Sequence, residues 1–214
     1  MKYWLFHSLN RVKSVFSSGT RAKRMDEFLK RMNVQEGQKV IDLGGVCKFW
    51  QGCPVPLEIT VLNLPSAVRP IAPNSHHTFH IVEGDACNVD FAADNSFDLA
   101  FSNSVIEHVG DEIKQAEMVR EILRLAPNHW VQTPSIWFPM EAHSNMPFWW
   151  FYPRWLQDRL IVRWRKKLPA WTQMIVETSV LLRPTLKRFF PDSTIWTERV
   201  MFIAKSYVVY RTKD

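Results

Sequence analysis

Four short apolar runs, three of them rich in β-branched residues and each leading into small or polar residues, constrain this chain more than any other feature. Residues 39–43 (KVIDL) run into Gly44-Gly45, and 58–62 (EITVL) into Asn63. Residues 78–82 (TFHIV) precede Gly84-Asp85-Ala86, and 97–101 (FDLAF) precede Ser102-Asn103-Ser104. Short apolar runs bounded by turn residues read as buried strands. A fifth run, 129–132 (HWVQ), follows a stretch in which Ile113, Ala116, Val119, Ile122 and Ala126 recur at steps of three and four before Pro127 closes it. Strands alternating with helices imply a mostly parallel sheet. Polar turns after four successive strands then lie at one sheet edge, where open α/β sheets hold ligands.

The flanks complete the organisation. Residues 1–37 read as an N-terminal helical segment. Trp4, Leu5 and Phe6 are free to dock on the body or on a surface, and Ser17-Ser18-Gly19 forms a hinge. Met25, Phe28, Leu29 and Met32 then make one apolar stripe, with Lys23, Arg24, Lys30 and Arg31 mostly on the wet side. Residues 38–133 form the ligand-binding core. Pro65, Pro70 and Pro73 keep any helix between the second and third strands short. Residues 194–214 read as a terminal hairpin. Between core and hairpin, 134–193 reads as an inserted cap of short helices, because its 137–190 stretch holds six of the ten tryptophans and is cut by five prolines. The whole is expected to be one domain.

Composition narrows the class. The chain has 214 residues, of which 46% are hydrophobic and 22% charged, enough to form a core. Cys47, Cys53 and Cys87 are too few for a disulfide framework, which favours a reduced, cytoplasmic protein. No apolar run reaches the roughly 18 residues of a membrane span. A net charge of +6 permits an anionic partner without requiring one.

Taken in order, VIDLGG, VLNL, EGDA and SFDLAFSNSVIEHVG resemble the class I S-adenosylmethionine-dependent methyltransferases, and most the small bacterial type-11 group. The resemblance covers about residues 38–133. It implies a Rossmann-like seven-stranded, mostly parallel sheet flanked by helices, with an antiparallel last strand, the Trp-rich insertion following strand five. It also implies S-adenosyl-L-methionine as cofactor. Gly44 and Gly45 would let the cofactor's amino acid end lie on the backbone, and Asp42 would order that loop. Asn63 would bond the ribose hydroxyls, Asp85 the adenine amine with the Ala86 backbone beside the ring, and Ser102 and Asn103 would line the methionine side. Two departures stand out: Val46 and Lys48 sit where the fuller motif has glycines, and Asn63 replaces an acid. Asn both donates and accepts, so ribose binding survives without the added strength of a carboxylate.

Methyl transfer is an in-line displacement, and a hydroxyl acceptor gains from a base. The candidates are His108, after the fourth strand, and Glu141 and His143, after the fifth. Histidine titrates near neutrality and suits the role. Glu107 reads as the closing residue of a Ser104-to-Glu107 capping box, and Trp50 as either core or a lid. No metal is expected. The leading reading is methylation of a small molecule, with a lean to a hydroxyl acceptor, in a pocket walled by the aromatic cap. Two alternatives stay open: a nucleic acid methyltransferase using the basic stretch 154–167, disfavoured because the Asn/Asp-Pro-Pro-aromatic motif is lacking, and an inactive binding module on the same fold. The apolar-basic N-terminus and the basic cap helix would also suit contact with an anionic membrane surface. The aromatic surplus would fit a homodimer.

Overall fold

The computed structural model describes residues 19, 22–65, 75–141 and 144–213. Trp4, Leu5, Phe6, the Ser17-Ser18 part of the hinge, Pro70, Pro73 and His143 lie outside the described residues. Helix α1 (22–32) opens the described chain, and β1 (Lys39–Leu43) follows it. The one-turn α2 (Cys47–Trp50) precedes β2 (Glu58–Asn63) and β3 (Thr78–Glu83). Next come β4 (Leu99–Asn103), α3 (Glu112–Leu125) and β5 (Asn128–Pro134). After a 3₁₀ turn at Trp149–Phe151, the cap contributes α4 (Arg154–Arg165), α5 (Pro169–Glu177) and α6 (Arg183–Phe189). Strands β6 (Thr194–Val200) and β7 (Ile203–Arg211) end it.

The seven strands form one sheet in the order β3-β2-β1-β4-β5-β7-β6. The first five pair in parallel, and β7 runs antiparallel to both β5 and β6. The expected Rossmann-like sheet with an antiparallel last strand is therefore present. The order reverses between β1 and β4, and that switch point leaves a crevice at the carboxyl ends of the strands.

Core packs on both faces of this sheet, as the unalternating strands require. On one side Ile41, Leu43, Ile106, Met118, Ile122 and Phe190 are buried together under α3 and α6. On the other, Val40, Ile59 and Phe101 meet α1 and α2. There Phe28 touches three rings, Trp50, Phe101 and Trp130, with centroids 5.4–5.9 Å away and planes close to perpendicular. Edge-to-face contact of this kind matches positive ring edges to negative faces.

Local readings needed correction in three places. The fourth strand starts at Leu99, two residues later than expected, because Phe97 and Asp98 are spent on backbone bonds to Leu125 and Lys39. In α3 the buried stripe runs through Gln115, Met118, Val119, Ile122 and Leu125, leaving Ile113 exposed at the helix start. Arg24 is on the dry side of α1, not the wet side. Its guanidinium pairs with buried Glu198 at 2.6 Å and donates to Gln132 Oε1 at 3.1 Å. That tie fixes α1 to β5 and β6.

Candidate active site

A cleft of about 710 Å³ opens where β1 to β4 end. Gly44, Asn63, Gly84-Asp85-Ala86, Val105 and His108 line its sheet side. Ala170, Gln173, Met174 and Glu177 of α5 form the facing wall.

The turn after β1 admits no side chain. Gly44 sits at φ +78°, and a Cβ there would lie 2.6 Å from a Val105 methyl. A Cβ on Gly45 would lie 1.7 Å from Asp42 Oδ2. Both glycines thus let the switch-point loops close on one another. Asp42 lies beneath this turn and not in the cleft wall. It is buried, and its Oδ2 accepts from Trp50 Nε1 at 2.8 Å. Its other oxygen has no hydrogen-bond partner among the described residues. Burial pushes its carboxyl up to about 7, against which the Trp50 bond acts only in part. Trp50 is therefore a core residue and not a lid.

Asn63 ends β2 with its Nδ2 donating to Gly45 O at 3.0 Å, which joins the second strand to the glycine turn. Asp85 Oδ1 accepts from Cys87 N at 2.8 Å, a local turn that holds the carboxylate at the cleft wall. Ser102 and Asn103 are directed elsewhere. Fully buried Ser102 donates to Leu43 O at 3.2 Å, and Asn103 Oδ1 accepts from Arg24 Nη1 at 2.6 Å. The next residue, Ser104, takes the wall position instead, at φ +57° with its Oγ bonded to Gln132 Oε1 at 2.7 Å.

No helix starts at Ser104, so the capping-box reading of Glu107 fails. Helix α3 begins at Glu112, capped by Asp111, whose Oδ1 accepts from Ile113 N and Lys114 N. Glu107 is instead fully buried behind the cleft and accepts from Thr133 Oγ1 at 3.1 Å. Beside it His108 lines the cleft, its Nδ1 3.4 Å from Thr178 Oγ1. The end of α5 is anchored here too: Ser179 N donates to Glu107 O, and Gln115 Nε2 to Ser179 O, both at 2.7 Å. Glu141, by contrast, is folded into its own turn, where it accepts from Ser144 N, and it does not line the cleft.

Sequence reasoning therefore placed Gly44, Asn63, Asp85, Ala86 and His108 at the cleft and missed the wall supplied by α5. Its four lining residues fall at i, i+3, i+4 and i+7, one helical face. The stripe mixes Ala and Met with Gln and Glu, so a search for apolar periodicity passes over it.

The sequence model of a family described as methyltransferase domain matches residues 45–128. That span carries the ends of β2, β3 and β4 and most of the cleft wall. Residues 45–128 are thus similar to a methyltransferase domain. Solved structures share the fold. Phosphoethanolamine N-methyltransferase 2 of Haemonchus contortus, in complex with S-adenosyl-L-methionine, superposes with a TM-score of 0.53 at 16% identity. That match covers 82% of this chain and 38% of that one, so this chain spans well under half the length of that relative. A Pyrococcus horikoshii protein, PH0226, superposes with a TM-score of 0.55 at 15% identity, covering 88% of each chain. No curated protein matches the sequence.

The cleft has the size and lining of a small-molecule site. Its volume falls within the roughly 300–1,000 Å³ of small-molecule sites. Its walls alternate apolar Leu62, Val105 and Met174 with a few fixed polar groups. Among the described residues no group of three or more His, Cys, Asp or Glu side chains could hold a metal.

Proposed function

We propose that the protein transfers a methyl group from S-adenosylmethionine to a hydroxyl of a small molecule, in the cleft closed by α5. The observation that carries this reading is the meeting, in one cleft, of a glycine turn, two polar strand ends and an imidazole. The bound cofactor would supply an electrophilic methyl on a sulfonium. Gly44 gives its backbone to the cofactor's amino acid end. Asn63 bonds the ribose and Asp85 the adenine amine, with Ala86 against the ring. His108 takes the acceptor's hydroxyl proton at one ring nitrogen, with Thr178 at the other orienting the ring. Helix α5 excludes water over the reacting groups, and Ala170 and Met174 of α5, with Val105 and Val109, give the acceptor its apolar wall; the cap's aromatic rings, expected to supply it, do not line the cleft. Asp42 and Gly45 shape the glycine turn from below, Ser102 and Asn103 brace the end of β4, and neither pair touches the ligand.

The test is transfer from methyl-labelled cofactor to a panel of phenols, alkyl alcohols and amines. Labelled ethers are expected, with kcat falling about a hundredfold in His108→Gln while cofactor affinity is kept. Labelled amines alone, or an unaffected His108→Gln, would overturn the hydroxyl assignment.

A further inference from the structure

At the carboxyl edge of the sheet the cap presents large apolar side chains outward. Trp137, Phe148, Phe151 and Trp155 are each more than half exposed, and the rings of Trp137 and Phe151 meet at 5.6 Å, tilted by 44°. Helix α4 buries no residue at all. Phe148 holds its backbone at φ +54°, a left-handed conformation that is strained for a bulky residue. The β6–β7 turn adds two more exposed apolar side chains, Met201 at 84% and Phe202 at 93%, in a two-residue hairpin loop whose geometry itself calls for the positive φ of Met201. The two features adjoin. Strand β7 pairs antiparallel with β5, and Ser135 N donates to Lys205 O, so the hairpin tip emerges at the edge where the chain leaves β5 toward Trp137. Strain spent to hold apolar groups in water is a mark of function rather than of packing.

Beside these groups is a cationic band. Residues 154–167 hold six Arg and Lys against one acid, Asp158. Among the described residues none of the six has an ion-pair partner. Along α4 the exposed Trp155, Arg159, Val162 and Lys166 follow at i, i+4, i+7 and i+11, one stripe alternating apolar and basic. An acidic protein would satisfy the cations but not the scattered protruding aromatics. A bilayer with anionic headgroups satisfies both, because rings enter the interface while cations stay with the phosphates.

We infer that this edge, formed by Trp137, Phe148, Phe151, α4 and the β6–β7 turn, docks on an anionic phospholipid surface. The inference is independent of the acceptor, since it concerns a face outside the cleft. Docking would turn the open edge of the sheet, with the cleft mouth, toward the lipid.

The test is co-sedimentation of the full chain with vesicles of equimolar phosphatidylglycerol and phosphatidylcholine, and with phosphatidylcholine alone. Binding to the anionic vesicles with a blue shift of tryptophan emission is expected, weakened by salt. Partitioning should fall about tenfold in Phe148→Asn with Trp155→Gln. Asn accepts the left-handed backbone and Gln the helix, so the variant should keep its thermal midpoint. Arg159→Gln with Lys166→Gln should lose about fivefold per cation. No binding to anionic vesicles at low salt, or equal binding of the aromatic variant, would overturn the inference. So would a concentration-dependent dimer that the same variant abolishes, or retention on an RNA homopolymer in place of vesicles.

Discussion

Tryptophan does opposite things in two regions of this molecule. Between α1 and the sheet, Trp50 and Trp130 are wholly buried, ringed by Phe28 and Phe101, and Trp50 also bonds Asp42 beneath the glycine turn. In the cap, Trp137 and Trp155 are more exposed than buried, and only Trp149 is fully enclosed, packed against Trp164. The first region fixes the shape of the turn at the cleft. The second adds little packing and is free to serve contact with something outside the chain. A count of aromatic residues therefore says nothing about function until burial separates the two sets.

The comparison can be broken first at Phe28. Phe28→Ala removes the ring shared by Trp50, Phe101 and Trp130 and should cost about 3–5 kcal/mol in denaturant unfolding. A loss under about 1 kcal/mol would show that the buried aromatic cluster does not hold α1 to the sheet.

Gly45→Ala should come next. Its methyl would collide with the Asp42 carboxylate and force the turn or the Trp50–Asp42 bond to give, at roughly 2–3 kcal/mol. An unchanged midpoint would mean that the turn relaxes freely.

The same carboxyl gives a pH signature. Its folded value is raised to about 7 from the ordinary 3.8 by burial, so between those values the folded state holds a proton that the unfolded state has released. Asp42 therefore favours folding most fully at acid pH and loses that contribution as pH rises from about 4 to about 7. The slope is up to about 1.4 kcal/mol per pH unit for one proton. His129 runs the other way: burial lowers it to about 3, so its contribution is lost as pH falls below 6.5. Subtracting the pH–stability curve of Asp42→Asn isolates the Asp42 part. A difference that stays flat from pH 4 to 7 would contradict its burial as a neutral acid.

Smallest of all should be Trp155→Ala, within about 0.5 kcal/mol of the parent, since 66% of the side chain is already in water. A loss of 2 kcal/mol or more would place Trp155 in the packing and erase the contrast between the regions.

How far the sequence reached follows from the same contrast. Strands β1 and β2 were readable to within a residue because buried strands need continuous apolar, β-branched runs, and β3, an exposed edge strand, because of its own β-branched and aromatic residues; all three runs end where the chain must turn. The cleft residues at those ends were readable for the same reason. Ser102 and Asn103 lie within β4, which runs to Asn103, so the outward turn begins two residues later than expected, at Ser104. Nothing local could show that Arg24, 79 residues away, occupies the Asn103 side chain. Helix α5 as a cleft wall and α4 as an uncovered helix both depend on how the cap folds back, which periodicity does not encode.

The central claim is that the cleft binds the cofactor through Asp85 and its neighbours. Titration calorimetry with S-adenosylmethionine and S-adenosylhomocysteine, on the parent, Asp85→Ala and Trp155→Ala, tests it most directly. The account predicts saturable binding to the parent, at least about tenfold weaker binding to Asp85→Ala through loss of a charge-assisted hydrogen bond, and no change in Trp155→Ala. Absence of heat with both ligands, or equal affinity in Asp85→Ala, would contradict it.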